Sequence, residues 1–272
     1  MVTDELERAI QWYPGHMPKA LRRMHGYLRA IDVVVEVLDA RVPRSGRSPV
    51  LDALASKHAR IVTLTRDDLA DPATTKRWLA AFTAGGAQAI SVDARVQRSV
   101  ARIASTIDRA RSRGPGKGIA RAMILGLPNS GKSTIVNALV GRAAARTEDR
   151  AGVTRQLQWF RLSPSVELMD TPGVLPPKIP SAGAQWKLAM CGAVPQDRYE
   201  PEEVVEAFHR WLVAHNLDSG VPDLRAFAAE RGFVRRGGEV DYHNAARSYV
   251  SAFNAGVFGR ISLEAPDDPE AA

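Results

Sequence analysis

The residues Gly126-Leu-Pro-Asn-Ser-Gly-Lys-Ser133 have the types and spacing to hold a chain of phosphates. Glycines at 126 and 131 let backbone N–H groups turn inward around phosphate oxygens. The N-terminus of a following helix adds free donors and a favourable dipole. Lys132 stands where an ammonium reaches the β- and γ-phosphates, and the Ser133 hydroxyl is a ligand for Mg2+. Asn129, Ser130, Gly131, Lys132, Ser133 and Thr134 are therefore the expected phosphate-side contacts. A second motif, Asp170-Thr-Pro-Gly173, follows an apolar run. An acid at that strand end is placed to hold Mg2+, and the Gly173 N–H can approach a γ-phosphate closely. Between the two motifs lies Thr154, which can close over the metal when a third phosphate is present.

A reader for the base is missing downstream of Gly173 but present upstream. Residues Thr65-Arg66-Asp67-Asp68 end an apolar run, and Asp93 and Ala94 end the next one. The Asp68 carboxylate can accept both the ring N–H and the exocyclic amine of guanine, a pair that adenine does not offer. Arg66 can lie over the ring, and a backbone N–H near Ala94 can meet the guanine carbonyl. The order is then base reader, second base loop, phosphate loop, switch, Mg2+ motif. That is a circular permutation of the usual arrangement, which a site built from converging strand ends tolerates.

The elements that must position these groups are legible. Apolar, β-branched runs at 32–38, 61–65, 121–126, 156–162 and 165–169, and a short one reaching Ser91, read as strands. Helical stretches at 17–28, 50–57, 73–84 and 96–111 alternate with them. The expectation is an α/β fold, a mostly parallel sheet with helices on both faces. After Gly173 the pattern becomes helical, with stripes at Val204, Val205, Phe208, Trp211, Leu212 and at Tyr242, Ala245, Ala246, Tyr249, Val250, Phe253. Residues 1–178 are assigned to the nucleotide-binding domain, 179–263 to a small all-α domain and 264–272 to a disordered acidic tail.

Charge and composition narrow the class. The 272 residues carry a net charge of +7, but residues 1–173 hold 27 basic and 16 acidic side chains, and 174–272 hold 10 and 14. The basic first part suggests a polyanionic partner. Arg95, Arg98, Arg102, Arg109, Arg111, Arg113, Lys117 and Arg121 face only Asp108 locally, which reads as a phosphate-contacting surface or as a solvated helix face. A single cysteine excludes a disulfide framework and a multi-thiolate zinc site. No apolar run is long enough for a membrane span. The acidic, mixed N-terminus reads as neither a secretory signal nor a transit peptide, so a bacterial cytoplasm is expected ahead of a mitochondrion.

Taken together, these residues resemble the circularly permuted GTPases of ribosome assembly, most closely the ribosome biogenesis GTPase A family. The resemblance runs through Trp12-Tyr-Pro-Gly-His-Met17, Leu38-Asp-Ala-Arg-Val-Pro43, the two phosphate motifs and Phe258-Gly-Arg-Ile-Ser-Leu-Glu264. It implies a Mg2+-dependent GTPase that binds GTP and GDP. It implies as partners a late precursor of the large ribosomal subunit and its RNA, contacted by the helical domain, with neither membrane nor DNA. The chain is read as a monomer. Val174 and Leu175 replace the water-orienting glutamine of Ras-like enzymes. The resemblance offers His16 as a catalytic group, its other reading being a turn cap, and Asn129 as a holder of K+. Lys132 and Thr154 complete the catalytic set. The chain departs from the family's Asn-Lys-x-Asp at Thr65. Thr65 is expected to be too short to span as Asn does, toward the base and across to the phosphate loop, weakening GTP affinity while Asp68 keeps guanine preference. Ala151, where the family tends to proline, loosens the switch. The rival reading is an RNA-binding protein with a weakened nucleotide site.

Overall fold

The computed structural model describes residues 17–111, 118–140, 157–174, 179, 181–233 and 239–268. The chain divides into two compact units. One is the described part of Tyr13–Pro177 with Ser262–Asp268 added, and the other is the described part of Lys178–Ile261.

The first unit is a six-stranded sheet in the order β3-β2-β1-β4-β6-β5. Its strands are β1 Val33–Asp39, β2 Ala59–Thr65, β3 Gln88–Val92, β4 Ala120–Gly126, β5 Gln158–Ser163 and β6 Val166–Asp170. The first four and β6 run parallel, joined through α2 Pro49–Ala55, α3 Pro72–Ala84, α4 Gln97–Arg111 and α5 Lys132–Val140. Helix α1 Met17–Tyr27 precedes the sheet. Strand β5 alone runs antiparallel to its neighbour, because only Pro164 and Ser165 separate it from β6 and so short a link permits only a hairpin. The strands alternate between two cores. Val33, Val35, Val37, Ile61 and Ile124 pack with Ile103, Ile107 and Ile135 of α4 and α5. Leu38, Val62 and Leu64 pack with Trp78 of α3 on the opposite face. The central β1 is buried along its whole length, so its register with β2 and β4 is fixed and every functional strand end is carried to one edge.

The second unit is helical: α6 Ala182–Met190, α7 Pro201–Ala214, α8 Leu224–Glu230 and α9 Tyr242–Asn254. Ser181, Asp223 and Asp241 cap α6, α8 and α9 by accepting from Ala184, Ala226 and Asn244 N–H. Phe208 sits at the centre, with ring centroids 6.5 Å from Trp186, 6.2 Å from Tyr249 and 5.1 Å from Phe253. Tyr242, read as part of the apolar stripe, is 41% exposed at the solvent edge of the first turn of α9.

The assignment of 264–272 as a disordered tail is corrected. Residues 262–268 belong to the first unit, and Glu264 is buried. The acidity that reads as solvated is instead satisfied by donors far away in sequence. Residues 269–272 lie outside the described residues.

Candidate nucleotide-binding site

The phosphate loop joins the end of β4 to the start of α5. Glycine is required at 126 because a Cβ there would lie 2.4 Å from Val37 O on β1. Gly131 has φ +91, and Asn129 adopts φ +55, a left-handed conformation that asparagine tolerates better than most residues. Lys132 is 5% exposed. Its Nζ donates to Leu127 O at 2.6 Å and Gly126 O at 3.1 Å. Burial pulls its pKa from the ordinary 10.5 to about 8, against an opposing pull from the carboxylate of Asp170. Ser130 is buried, and Ser133 and Thr134 are half-buried on the first turn of α5.

The second phosphate motif is fastened to the first. Thr171 Oγ1 donates to Ile124 O at 2.6 Å, and Val174 N donates to Gly126 O at 3.2 Å. A Cβ on Gly173 would lie 2.7 Å from Pro128 Cα and 3.1 Å from Lys132 Nζ. Only glycine lets this backbone come so close to the loop. Asp170 is buried at the end of β6. A hydroxyl and a carboxylate on neighbouring elements, Ser133 and Asp170, form a hard-oxygen donor set of the kind Mg2+ takes while keeping several waters. The residues present therefore fit that ion. Val174 is fully buried, so its side chain cannot orient water.

The end of β2 meets the loop directly. The Thr65 hydroxyl donates to Ser130 O at 2.7 Å, with Leu38 O also within 3.1 Å. The phosphate-loop side of the expected shortfall at Thr65 is thus corrected: the hydroxyl makes that half of the span. The reason lies in Gly131: a Cβ there would sit 3.3 Å from Thr65, so its absence lets the backbone close to within a short hydroxyl's range. Replacing Thr65 with valine keeps the shape and removes the bond. Thr65→Val is expected to cost about 1–3 kcal/mol of GDP affinity, read as a raised Kd in a fluorescent-nucleotide titration. Unchanged affinity would sink the assignment.

Beyond Thr65 the chain turns at Arg66, φ +54, closed by Leu69 N donating to Arg66 O at 2.9 Å. Arg66 faces Asp39, with 3.7 Å from its NH1 to Asp39 Oδ2. Asp39 is gripped by the fully buried Arg41, whose Nε and NH2 donate to the two carboxylate oxygens at 3.0 and 2.8 Å. Burial pushes the Asp39 pKa up, but the Arg41 and Arg66 guanidinium groups outweigh it and hold the carboxyl below its ordinary value. The loop after β3 is joined to the loop after β2 by Arg95. Its NH2 lies 2.7 Å from Asp68 Oδ2 and 3.0 Å from Asp93 Oδ2. The bond from Arg95 lowers the Asp93 pKa. Asp67 and Ala94 are half-buried beside them.

The structure thus brings together Thr65, Arg66, Asp67, Asp68, Asp93, Ala94, the 129–134 loop, Asp170 and Gly173 at the carboxyl ends of β2, β3, β4 and β6. His16, Thr154 and Leu175 lie outside the described residues, as do Ala151, Arg113 and Lys117. Three interactions escaped the sequence reading: the Asp39–Arg41 pair, Arg95 as a bridge, and the burial of Glu264 against Arg44 and Ser45. The basic run at 95–121 is also less bare than it reads. Arg95 has Asp68 and Asp93, and Arg121 has Glu167 at 3.4 Å. Acids on neighbouring strands supply what a local charge count misses, while Arg98 and Arg102 are exposed.

Comparison with known proteins agrees with this geometry. A family model described as 50S ribosome-binding GTPase matches residues 121–212, which contain the phosphate loop and the Asp170 motif. The chain is 36% identical over 283 residues to ribosome biogenesis GTPase A of Priestia megaterium, covering 96% of this chain and 98% of that one. It is 34% identical to the protein of that name from Thermotoga maritima, with 95% of each chain covered. The chain belongs to the ribosome biogenesis GTPase A family. Solved structures agree: GNP-bound YlqF from Thermotoga maritima superposes with a TM-score of 0.72 at 32% identity, covering 92% of this chain and all of that one. The GDP-bound form gives 0.71 at 31%. Family membership makes the chain a GTPase and does not favour the rival of an RNA-binding protein with a weakened nucleotide site and little GTPase activity. Among the described residues, no helix is long and apolar enough to cross a membrane.

Proposed function

We propose that this GTPase binds GTP across the ends of β2, β3, β4 and β6, docks in that state on a precursor of the large ribosomal subunit, and leaves it after hydrolysis. The observation that carries the reading is the bond from Thr65 to Ser130 O, which ties the base-reading strand to the phosphate loop. Asp68 reads the guanine edge and Arg66 covers the ring. Lys132 and the loop N–H groups hold the β- and γ-phosphates, and the Gly173 N–H senses the third one. Mg2+ held by Ser133, Thr154 and Asp170 would supply charge neutralisation, and K+ at Asn129 would add to it. With Val174 buried, water activation falls to another group, for which His16 is the candidate. The basic first part and the helical unit offer the RNA-facing surfaces. The chain acts as a monomer in a bacterial cytoplasm in this reading.

The test is GTP turnover with and without purified large-subunit precursor particles. Precursor should stimulate turnover by about a hundredfold or more, the scale on which a surface completes a GTPase site. His16→Ala should abolish the stimulation and leave GDP affinity unchanged. Turnover indifferent to the particle would refute the docking role, and normal stimulation in the variant would remove His16 from the reaction.

A further inference from the structure

Residues 262–268 return to the first unit after the whole helical unit has been traversed. They add no strand to the sheet. Their bonds converge on the two flanks of the base-reading loop. On one flank, Asp71 N, at the start of α3, donates to Ser262 Oγ at 3.1 Å, and Trp78 Nε1 on the same helix donates to Glu264 O at 3.0 Å. On the other flank, Leu263 N donates to Arg41 O at 2.8 Å. The Glu264 carboxylate, 3% exposed, accepts from Arg44 N at 2.8 Å, from Ser45 N at 3.1 Å and from the Ser45 hydroxyl. Arg41 is the side chain that fixes Asp39, and Asp39 faces Arg66. One short segment therefore grips both the helix into which residues 66–71 run and the loop that steadies Arg66.

We propose that residues 262–268 are a positioning clamp for guanine recognition, with Ser262 and Glu264 acting through Asp71 and through Arg41–Asp39 on the loop that carries Arg66 and Asp68. The inference rests on the guanine reading above. A buried carboxylate is a costly route to stability alone. Bonded to several directional donors, it fixes geometry instead. A loop held at both ends keeps Asp68 at one distance from the guanine edge, and a recognition site has to be held to within about 0.5 Å.

The experiment uses the full chain, with Glu264→Gln and Ser262→Ala as variants. Dissociation constants are measured for GDP, for inosine diphosphate, which lacks the exocyclic amine, and for GTP, alongside thermal unfolding. Wild type should prefer GDP over inosine diphosphate. Both variants should lose about tenfold of that preference and release GDP faster, with the GDP-to-GTP ratio unmoved. The phosphate-side ratio separates a displaced base loop from general loosening. A lowered melting temperature with the guanine preference intact would overturn the clamp. Should Glu264→Gln fail to fold, Ser262→Ala, which removes a single bond, decides alone. Wild type that binds both diphosphates equally would refute the guanine reading and the clamp with it, whereas a selective wild type with equally selective variants refutes only the clamp.

Discussion

Raising the pH from 7 to 9 should stabilise the nucleotide-free chain and at the same time weaken its grip on GDP. Both effects come from Lys132. In the unfolded chain its ammonium keeps its proton to near 10.5, whereas burial in the folded loop lets the proton go near pH 8. Below pH 8 both states are charged, and the folded state bears the full cost of the buried cation, about 3 kcal/mol. Between about pH 8 and 10.5 the unfolded state binds more protons, so stability rises with pH through that window. Nucleotide reverses the preference. Phosphates beside Nζ favour the ammonium, so binding above pH 8 must take up a proton. GDP affinity should then fall by up to about tenfold per pH unit above 8. Urea titrations across pH 7–9 check the first effect, and calorimetry in buffers of differing ionisation enthalpy checks the second. Lys132→Met should be flat in both. A variant that keeps the wild-type slopes would assign them to another group.

The other large effect concerns the base. Asp68→Asn should lower GDP affinity by about 1.5–3 kcal/mol, because the charge-assisted bond to the exocyclic amine is lost while the amide carbonyl still accepts from the ring N–H. The same change should raise affinity for xanthosine diphosphate. Xanthine has a carbonyl where guanine has its amine, and an asparagine amide can donate to it while its own carbonyl still accepts from the ring N–H. The exchange of preference separates a base reader from a residue that merely supports the loop. Arg95 complicates the local balance, since it holds Asp68 and Asp93 at once. In Asp68→Asn it keeps Asp93, so the second base loop should stay in place. Competition of the two diphosphates for one labelled nucleotide gives the ratio directly, and an unaltered ratio would exclude Asp68 from the base edge.

Much of the fold and of the site is visible in the residues before any coordinates. The buried strands are continuous β-branched runs, and the phosphate loop carries its own glycines. These are local signals, set by neighbours along the chain. What escaped depends on distance in space. Thr65 reads as too short because its reach is judged from its own length, yet the outcome is set by the missing side chain of Gly131. Arg95 reads as part of an unbalanced basic run because its carboxylates come from the ends of other strands. Glu264 reads as a solvated acid because the Pro and Asp residues after it suit a tail. Its donors lie about 220 residues upstream, where no periodicity could point to them. Antiparallel β5, by contrast, follows from the shortness of its link to β6.

The return of Ser262–Asp268 to the first unit has a consequence for how the molecule is made. During synthesis a chain folds from its N-terminal side as it leaves the ribosome. All six strands and both phosphate motifs emerge before the helical unit, but Ser262 and Glu264 emerge only after it. The bonds to Asp71, Trp78, Arg44 and Ser45 form last. A nascent chain halted anywhere in the helical unit therefore has its phosphate loop and lacks the fastening of its base loop. Premature stop codons between the start of α6 and residue 261 leave that same unfinished intermediate, so a lesion in the far downstream coding sequence acts on the loops that follow β1 and β2.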